Sequence, residues 1–131
     1  MKNKYRFSII TVSYNAGQTI EQAIRSVVFQ TYDNVEYIII DGMSTDNTVD
    51  IIKQYESDIF YWISEKDHGI YDAMNKGLEI ATGDYVYFLG TDDCLFQENT
   101  IQLVAESLCD DVDVLSAGGA KDRALYRWKL R

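Results

Sequence analysis

Apolar residues along the chain form two alternating patterns: short continuous runs, and stretches with helical spacing. The first run, Arg6 to Val12, is rich in β-forming residues, and from Thr19 to Gln30 the apolar residues recur at helical spacing. Val35 to Asp41 forms a second apolar run, and Val49 to Tyr55 has the pattern of a short helix. The first half of the chain is therefore predicted to fold as strand, helix, strand and helix.

The same alternation continues in the second half. The predicted elements are a third strand at Ile59–Ile63, a helix from about Ile70 to Ala81 whose Met74 and Leu78 face the core, a fourth strand at Tyr85–Leu89, a helix within Glu98–Leu108 and the start of a fifth strand within Val112–Gly119. Strands that alternate with helices and read as near-continuous apolar runs indicate a mostly parallel sheet covered by helices on both faces. The predicted fold class is α/β, and 131 residues fit one domain.

Polar residues follow each of the four predicted strands. The ends carry Ser13-Tyr14-Asn15, Asp41 followed by the loop to Asp46, Ser64 to Gly69, and Thr91-Asp92-Asp93. Because ligands bind outside the carboxyl ends of parallel strands, we expect these loops to form one site. Helix capping would by itself explain the STDNT and TDD segments. It does not explain several carboxylates at one sheet edge, which repel one another unless a cation joins them.

The charge of the chain sharpens this expectation. A formal net charge of −9 argues against a nucleic-acid backbone or an anionic membrane as the main partner. Paired carboxylates beside a hydroxyl are hard oxygen ligands suited to Mg²⁺ or Mn²⁺, which fill their remaining positions with water and phosphate oxygens. The acidic edge is therefore predicted to bind a diphosphate through a divalent metal ion.

Other nucleotide-binding and phosphoacceptor designs are excluded by their defining residues. No G-x-G-x-x-G follows the first strand, no G-x-x-x-x-G-K-[ST] occurs, and no acidic pair follows the first strand as a phosphoacceptor domain requires. Cys94 and Cys109 lack metal-ligand spacing and are predicted to be free thiols. Without a signal peptide or an apolar segment near the roughly 20 residues of a membrane span, we expect a cytoplasmic protein, with peripheral attachment to the inner face of the membrane as the alternative.

The order and spacing of these motifs resemble those of the family 2 glycosyltransferases of GT-A fold. The match runs from Phe7 to about Phe96 and is carried by FSIITVSYNAGQTIEQAIRSVVFQTYDNVEYIIIDGMSTDNTVDII and SEKDHGIYDAMNKGLEIATGDYVYFLGTDD. The resemblance implies a Rossmann-like fold and an inverting, metal-dependent transferase. Such an enzyme moves a sugar from a nucleotide diphosphate, here of UDP type, to a hydroxyl of a glycan or lipid-linked acceptor, as in polysaccharide biosynthesis.

The resemblance also implies roles for individual residues. Tyr14 would stack on or beside the base, Asp41 would contact the base edge, and Asp92 would face the ribose hydroxyls. Asp93, together with Asp92, would bind the metal. The complete set implied for the nucleotide is Val12, Ser13, Tyr14, Asp41, Gly42, Ser44, Asn75 and Asp92. Many relatives carry two adjacent aspartates at the end of the second strand, where this chain has Asp41-Gly42.

The resemblance covers the donor half of the usual domain, and in the family the catalytic base comes from a later segment. We therefore expect residues 1–131 to form a single GT-A-like domain with the donor-binding part and without the acceptor part. Two functions stay open: a sugar transferase, and a module that holds nucleotide sugar and metal without turnover. Uncovered apolar surface in such a half domain favours self-association into a homo-oligomer.

Overall fold

Strands and helices alternate along the chain as the apolar pattern predicts. The computed structural model describes residues 5–108, 114–117 and 123–127. Its elements are β1 (Phe7–Ser13), α1 (Ile20–Val28), β2 (Val35–Asp41), α2 (Thr48–Gln54), β3 (Tyr61–Ser64), α3 (Ile70–Ile80), β4 (Tyr85–Phe88), α4 (Thr100–Glu106), β5 (Val114–Ala117) and β6 (Arg123–Arg127), with a short 3-10 turn at Glu56–Asp58. This turn and the two residues after it delay the third strand, which begins two residues later than predicted.

The six strands form one sheet in the order β3-β2-β1-β4-β6-β5. The first four are parallel to one another, whereas β6 runs antiparallel to β4, and β5 antiparallel to β6. The predicted α/β class and mostly parallel sheet are therefore confirmed. The strand β6 was not predicted, because its five residues RALYR begin and end with arginine and contain an apolar run of only three residues.

The two faces of the sheet carry separate apolar clusters. Side chains of a strand alternate between faces, so neighbouring residues of β1 and β2 point into different clusters. One cluster joins the strands to α1, α2 and α4, and contains Phe7, Ile9, Tyr37, Ile39, Ile20, Ile24, Ile52 and Ile101. The other joins them to α3 and contains Ile10, Ile38, Ile40, Ala73 and Val86. The predicted covering of the sheet on both faces is therefore confirmed.

The helix α3 lies unusually close to the sheet at Gly77. A Cβ atom added there would lie 2.7 Å from Cγ2 of Ile10, so no larger residue fits without a shift. Ala73 and Gly77 are the buried residues of this helix. Met74, predicted to face the core, is only half-buried and belongs to neither cluster of the described residues, while Leu78 packs at the margin. The close approach leaves room for small side chains only.

Replacing Gly77 by valine is expected to lower the free energy of unfolding by about 1–3 kcal/mol, the usual cost of overpacking a core. The loss should occur although valine is a better helix former than glycine. Denaturant titration of Gly77→Val and of Glu79→Val, which places valine at an exposed position of the same helix, measures the difference. Equal stability of the two variants would contradict the close approach.

A buried carboxylate connects the amino-terminal ends of β1 and β2 to the turn before β4. Glu36 is 1% exposed. Its oxygens accept hydrogen bonds from Ser8 Oγ at 2.6 Å, from Arg6 Nε at 3.0 Å, and from the backbone N–H and the hydroxyl of Thr82. Burial by itself raises the pKa of Glu36, but these hydrogen bonds outweigh burial and hold the pKa below its ordinary value. We call these residues the Glu36 clamp.

The remaining expectations concern thiols and membranes. Cys94 is exposed and carries a free thiol, as predicted, whereas Cys109 lies outside the described residues. Within the described parts of the chain, no helix has both the length and the apolar character needed to cross a bilayer.

Candidate functional site

A cleft of about 520 Å³ opens at the carboxyl ends of β1 and β2. This is the edge where ligands bind in open parallel sheets. Its lining consists of Val12, Ser13, Tyr14, Gly42, Lys66, Asp67, Gly69 and Ile70. The first four are among the residues implied by the resemblance. The other four belong to the β3–α3 loop and the start of α3. The position of β3 in the parallel sheet is the signal from which their place in the cleft could have been predicted.

Tyr14 presents an aromatic ring at the wall of this cleft. Its side chain is 65% exposed, although it follows a buried strand. The next residue, Asn15, has a positive φ of 47°, which turns the chain sharply after the tyrosine. A ring held open on a cleft wall can stack on a planar ligand such as a nucleobase.

Hydrogen bonds join the loop after β1 to the loop after β2. Asn15 donates its backbone N–H to Ser44 Oγ at 2.8 Å, and its side-chain oxygen accepts the N–H of Thr45 at 2.8 Å. The N–H of Ala16 reaches Thr48 Oγ1 at 2.9 Å. The two loops therefore form one hydrogen-bonded unit, which fixes the backbone position of Tyr14.

Asp46 belongs to this loop unit and also serves the start of α2. Its carboxylate accepts the N–H of Thr48 at 2.9 Å and the N–H of Gly17 at 2.9 Å. The hydrogen bonds from Thr48 are the main reason that the pKa of Asp46 lies below its ordinary value. The N-cap residue of α2 is Asn47, whose side chain makes no capping hydrogen bond. Within STDNT it is Asp46 that accepts the first N–H of α2, and the same carboxylate also bonds Gly17.

Asp41 lies beneath the cleft and is completely buried, with an exposed fraction of 0%. Its Oδ1 accepts hydrogen bonds from Ser13 Oγ and Ser44 Oγ, both at 2.6 Å. Its Oδ2 accepts the Ser44 N–H at 2.8 Å and the Ser64 hydroxyl at 2.7 Å. One carboxylate therefore connects the carboxyl ends of β1, β2 and β3. We call this set the Asp41 clamp, and Ser44 is placed in it rather than on the cleft lining.

Asn75 lies on the exposed surface of α3, and it is not among the residues that line the cleft. Its neighbour Lys76 is directed toward the β3–α3 loop, with Nζ 3.2 Å from Oε1 of Glu65 and 3.8 Å from Oδ2 of Asp72. A nucleotide contact for Asn75 therefore stays a prediction, and Lys76 holds the loop that carries Lys66 and Asp67.

Asp92 and Asp93 follow β4, the other neighbour of β1 in the sheet. Leu89 donates its N–H to the carbonyl of Ile10 at 2.9 Å, which keeps the end of β4 beside β1. A Cβ atom added at Gly90 would lie 2.9 Å from Oδ2 of Asp93 and 3.2 Å from Oδ1 of Asp92. The two carboxylates thus share the space above Gly90. Since α4 begins only at Thr100, the capping interpretation of TDD is wrong.

This arrangement fits a hard divalent cation. Mg²⁺ usually takes one or two protein carboxylates and completes its shell with water and phosphate oxygens. Asp92 and Asp93 can offer those one or two carboxylates. Across the part of the chain that the structure describes, no cluster of three or more His, Cys, Asp or Glu could hold a metal ion. A cation held here would therefore depend on oxygen ligands from its substrate or from water.

Known proteins with similar sequences are sugar transferases by name. The profile described as Glycosyl transferase family 2 matches residues 8–129. A PGL/p-HBAD biosynthesis glycosyltransferase of Mycobacterium bovis is 36% identical over 102 residues, which are 76% of this chain and 40% of that protein. The uncharacterized glycosyltransferase YibD of Escherichia coli is 35% identical over 116 residues, 87% of this chain and 34% of that protein. The chain spans less than half the length of these relatives.

Similar solved structures show the same fold. Mannosyltransferase PcManGT from Pyrobaculum calidifontis, in complex with GDP-Man and Mn²⁺, has a TM-score of 0.78 at 24% identity, over 89% of this chain and 37% of its own. TarS of S. aureus in complex with UDP-GlcNAc has a TM-score of 0.67 at 25% identity, over 78% of this chain and 30% of its own. The predicted GT-A fold is confirmed by these likenesses.

Proposed function

The chain belongs to glycosyltransferase family 2, and we propose that it binds a nucleotide-diphosphate sugar with a divalent metal ion and transfers the sugar to a hydroxyl acceptor. The observation that carries this proposal is the position of the cleft. It opens at the ends of β1 and β2, while the paired carboxylates Asp92 and Asp93 stand at the end of β4, on the other side of β1. A base and a diphosphate can then occupy adjacent parts of one sheet edge.

The nucleotide end is assigned to the cleft. The exposed ring of Tyr14 would stack on or beside the base, with Val12, Ser13 and Gly42 lining the same space. We propose a nucleotide of UDP type. The structure of TarS with UDP-GlcNAc supports this choice, whereas that of PcManGT with GDP-Man supports a guanine nucleotide.

The diphosphate end is assigned to the two aspartates. Asp93, with Asp92, would hold Mg²⁺ or Mn²⁺, and Asp92 would also approach the ribose hydroxyls. When bound, the metal offsets the negative charge that develops on the diphosphate leaving group as the sugar–phosphate bond breaks. We propose direct displacement with inversion at the sugar carbon. The proton of the acceptor hydroxyl then passes to a carboxylate base, which we assign to none of the described residues.

Calorimetric titration with UDP tests the nucleotide and metal assignments together. We expect binding in the presence of Mn²⁺ and markedly weaker binding after chelation, because the carboxylate pair repels a bare diphosphate. Equal affinity with and without metal would contradict the metal assignment. No binding in either condition would contradict the nucleotide assignment.

The second candidate is a module that holds donor and metal without turnover. It stays open because none of the described residues is assigned the role of the catalytic base. Release of UDP from UDP-sugars, measured with mixtures of glycan and lipid-linked acceptors, separates the two. Acceptor-dependent release identifies the transferase, and metal-dependent binding without release identifies the module.

A further inference from the structure

We propose that Asp41 is a positioning residue, whose buried carboxylate holds the walls of the nucleotide cleft through Ser13, Ser44 and Ser64 without touching the nucleotide. The inference rests on the proposed function, because it concerns how that same cleft is kept in shape. It differs from the role that the family resemblance implies, in which Asp41 contacts the edge of the base.

The first argument is that the carboxylate has no capacity left for a ligand. A carboxylate offers about four lone-pair positions, and the Asp41 clamp fills four of them with protein hydrogen-bond donors. The side chain has no exposed surface. A base N–H could reach it only by displacing a serine and opening the sheet edge, which would leave a buried polar group unpaired.

The second argument is that the three serines lie in three different segments around the cleft: the end of β1, the loop after β2 and the end of β3. Ser13 is itself part of the lining. Ser44 Oγ accepts the N–H of Asn15 at 2.8 Å, next to Tyr14. Ser64 ends β3, directly before the loop that supplies Lys66 and Asp67, and the N–H of Glu65 bonds the Asp41 carbonyl at 3.0 Å. Weakening the clamp should therefore loosen these three segments together.

Ser64 is the position at which the proposal can be isolated. It does not line the cleft, and its hydroxyl donates to Asp41 at 2.7 Å. A matched control exists in the same sheet: Ser8 Oγ donates to the buried carboxylate of Glu36 at 2.6 Å, at the opposite end of β1. Both changes to alanine remove one hydroxyl-to-carboxylate hydrogen bond, and Ser8→Ala also removes the acceptor of the Gly83 N–H at 2.9 Å, but only Ser64→Ala acts on the cleft.

The experiment measures UDP affinity with Mn²⁺ by calorimetry. Ser64→Ala is expected to weaken binding about 3- to 30-fold, the range for residues that act on a site without touching its ligand. Ser64→Thr, which keeps a hydroxyl, should restore affinity, and Ser8→Ala should leave affinity unchanged while lowering stability. In the Asp41→Asn background, Ser64→Ala should add little further loss. Unchanged affinity in Ser64→Ala, or an equal loss in Ser8→Ala, would overturn the proposal.

Hydrogen exchange of the ligand-free protein separates this proposal from the proposed function. Asp41→Asn and Ser64→Ala should speed exchange at the amides of Gly42, Ser44 and Glu65, which bond within or beside the clamp. If the unmodified protein binds no UDP, the proposed function fails, and faster exchange at these amides still supports the clamp. Unchanged exchange at all three amides overturns the clamp, whatever the outcome of the titration.

Discussion

Replacing Asp93 by asparagine is expected to lower the affinity for UDP in the presence of Mn²⁺ at least about 100-fold, the upper end of the loss seen when a group that merely orients a metal ligand is removed. The amide keeps the size of the side chain but removes the charge, so Asp92 alone would face the cation. Affinity should fall to the level measured with a chelator. Calorimetry with Mn²⁺ and with chelator, on the variant and the unmodified chain, gives both values.

Two further variants define the cause of that loss. Asp50→Asn removes one exposed carboxylate from α2 and should leave UDP affinity unchanged, which controls for net charge. Gly90→Ala removes no charge but puts a Cβ 2.9 Å from the Asp93 carboxylate. By displacing the carboxylates, it should reduce the dependence of UDP affinity on Mn²⁺. If the UDP affinity of both Asp93→Asn and Gly90→Ala kept its full dependence on Mn²⁺, the assignment of the metal to Asp92 and Asp93 would be contradicted.

Replacing Glu36 by glutamine is expected to lower the free energy of unfolding at pH 7 by about 3 kcal/mol, because one partner of a buried charged network is lost. The amide nitrogen of glutamine would face groups that donate, Arg6 Nε or the Thr82 N–H, and would leave them unpaired. Denaturant titration measures the loss. Glu56→Gln, which affects an exposed hydrogen bond from Trp62, serves as control and should change stability little.

The Glu36 clamp also makes stability depend on pH in a defined direction. The pKa of Glu36 is lowered by folding, so its contribution is complete above its ordinary pKa of 4.5 and is lost as pH falls through the folded value. Glu36→Gln carries no titrating group there. The stability difference between the unmodified chain and Glu36→Gln should therefore narrow as pH falls below 4.5. A difference that widens in acid would mean that the folded pKa is raised.

Most of the fold could be predicted from the apolar pattern, because the strands are buried on both faces and read as continuous runs. Val35 to Asp41 is such a run, and its bounds agree with β2. The strand β6 could not be predicted in this way, since its pairing with β4 and β5 decides its conformation and its own five residues carry a weak signal. The prediction that Met74 faces the core is wrong, because helical spacing does not show how closely two elements approach.

The site was predictable in part, for a related reason. Strand ends in a parallel sheet share an edge, which predicts that the residues after β1 and β2 lie together, and Ser13, Tyr14 and Gly42 do line one cleft. The burial of Asp41 was not predictable, since a carboxylate at a strand end looks the same whether it faces a ligand or the protein. Its surroundings depend on Ser13 and Ser64, which lie 28 and 23 residues away along the chain.

The two clamps help to specify the register of β1 against β2, which the apolar residues leave partly undetermined. On the face of β2 that carries Ile38 and Ile40, a slip of two residues would put Ile38 in the place of Ile40 and leave the apolar contacts of that face nearly degenerate. The same slip could set Glu36 opposite Ile10, where a buried carboxylate without partners costs several kcal/mol. One charge at each end of β2, on Glu36 and on Asp41, therefore helps to fix the alignment of β1 with β2.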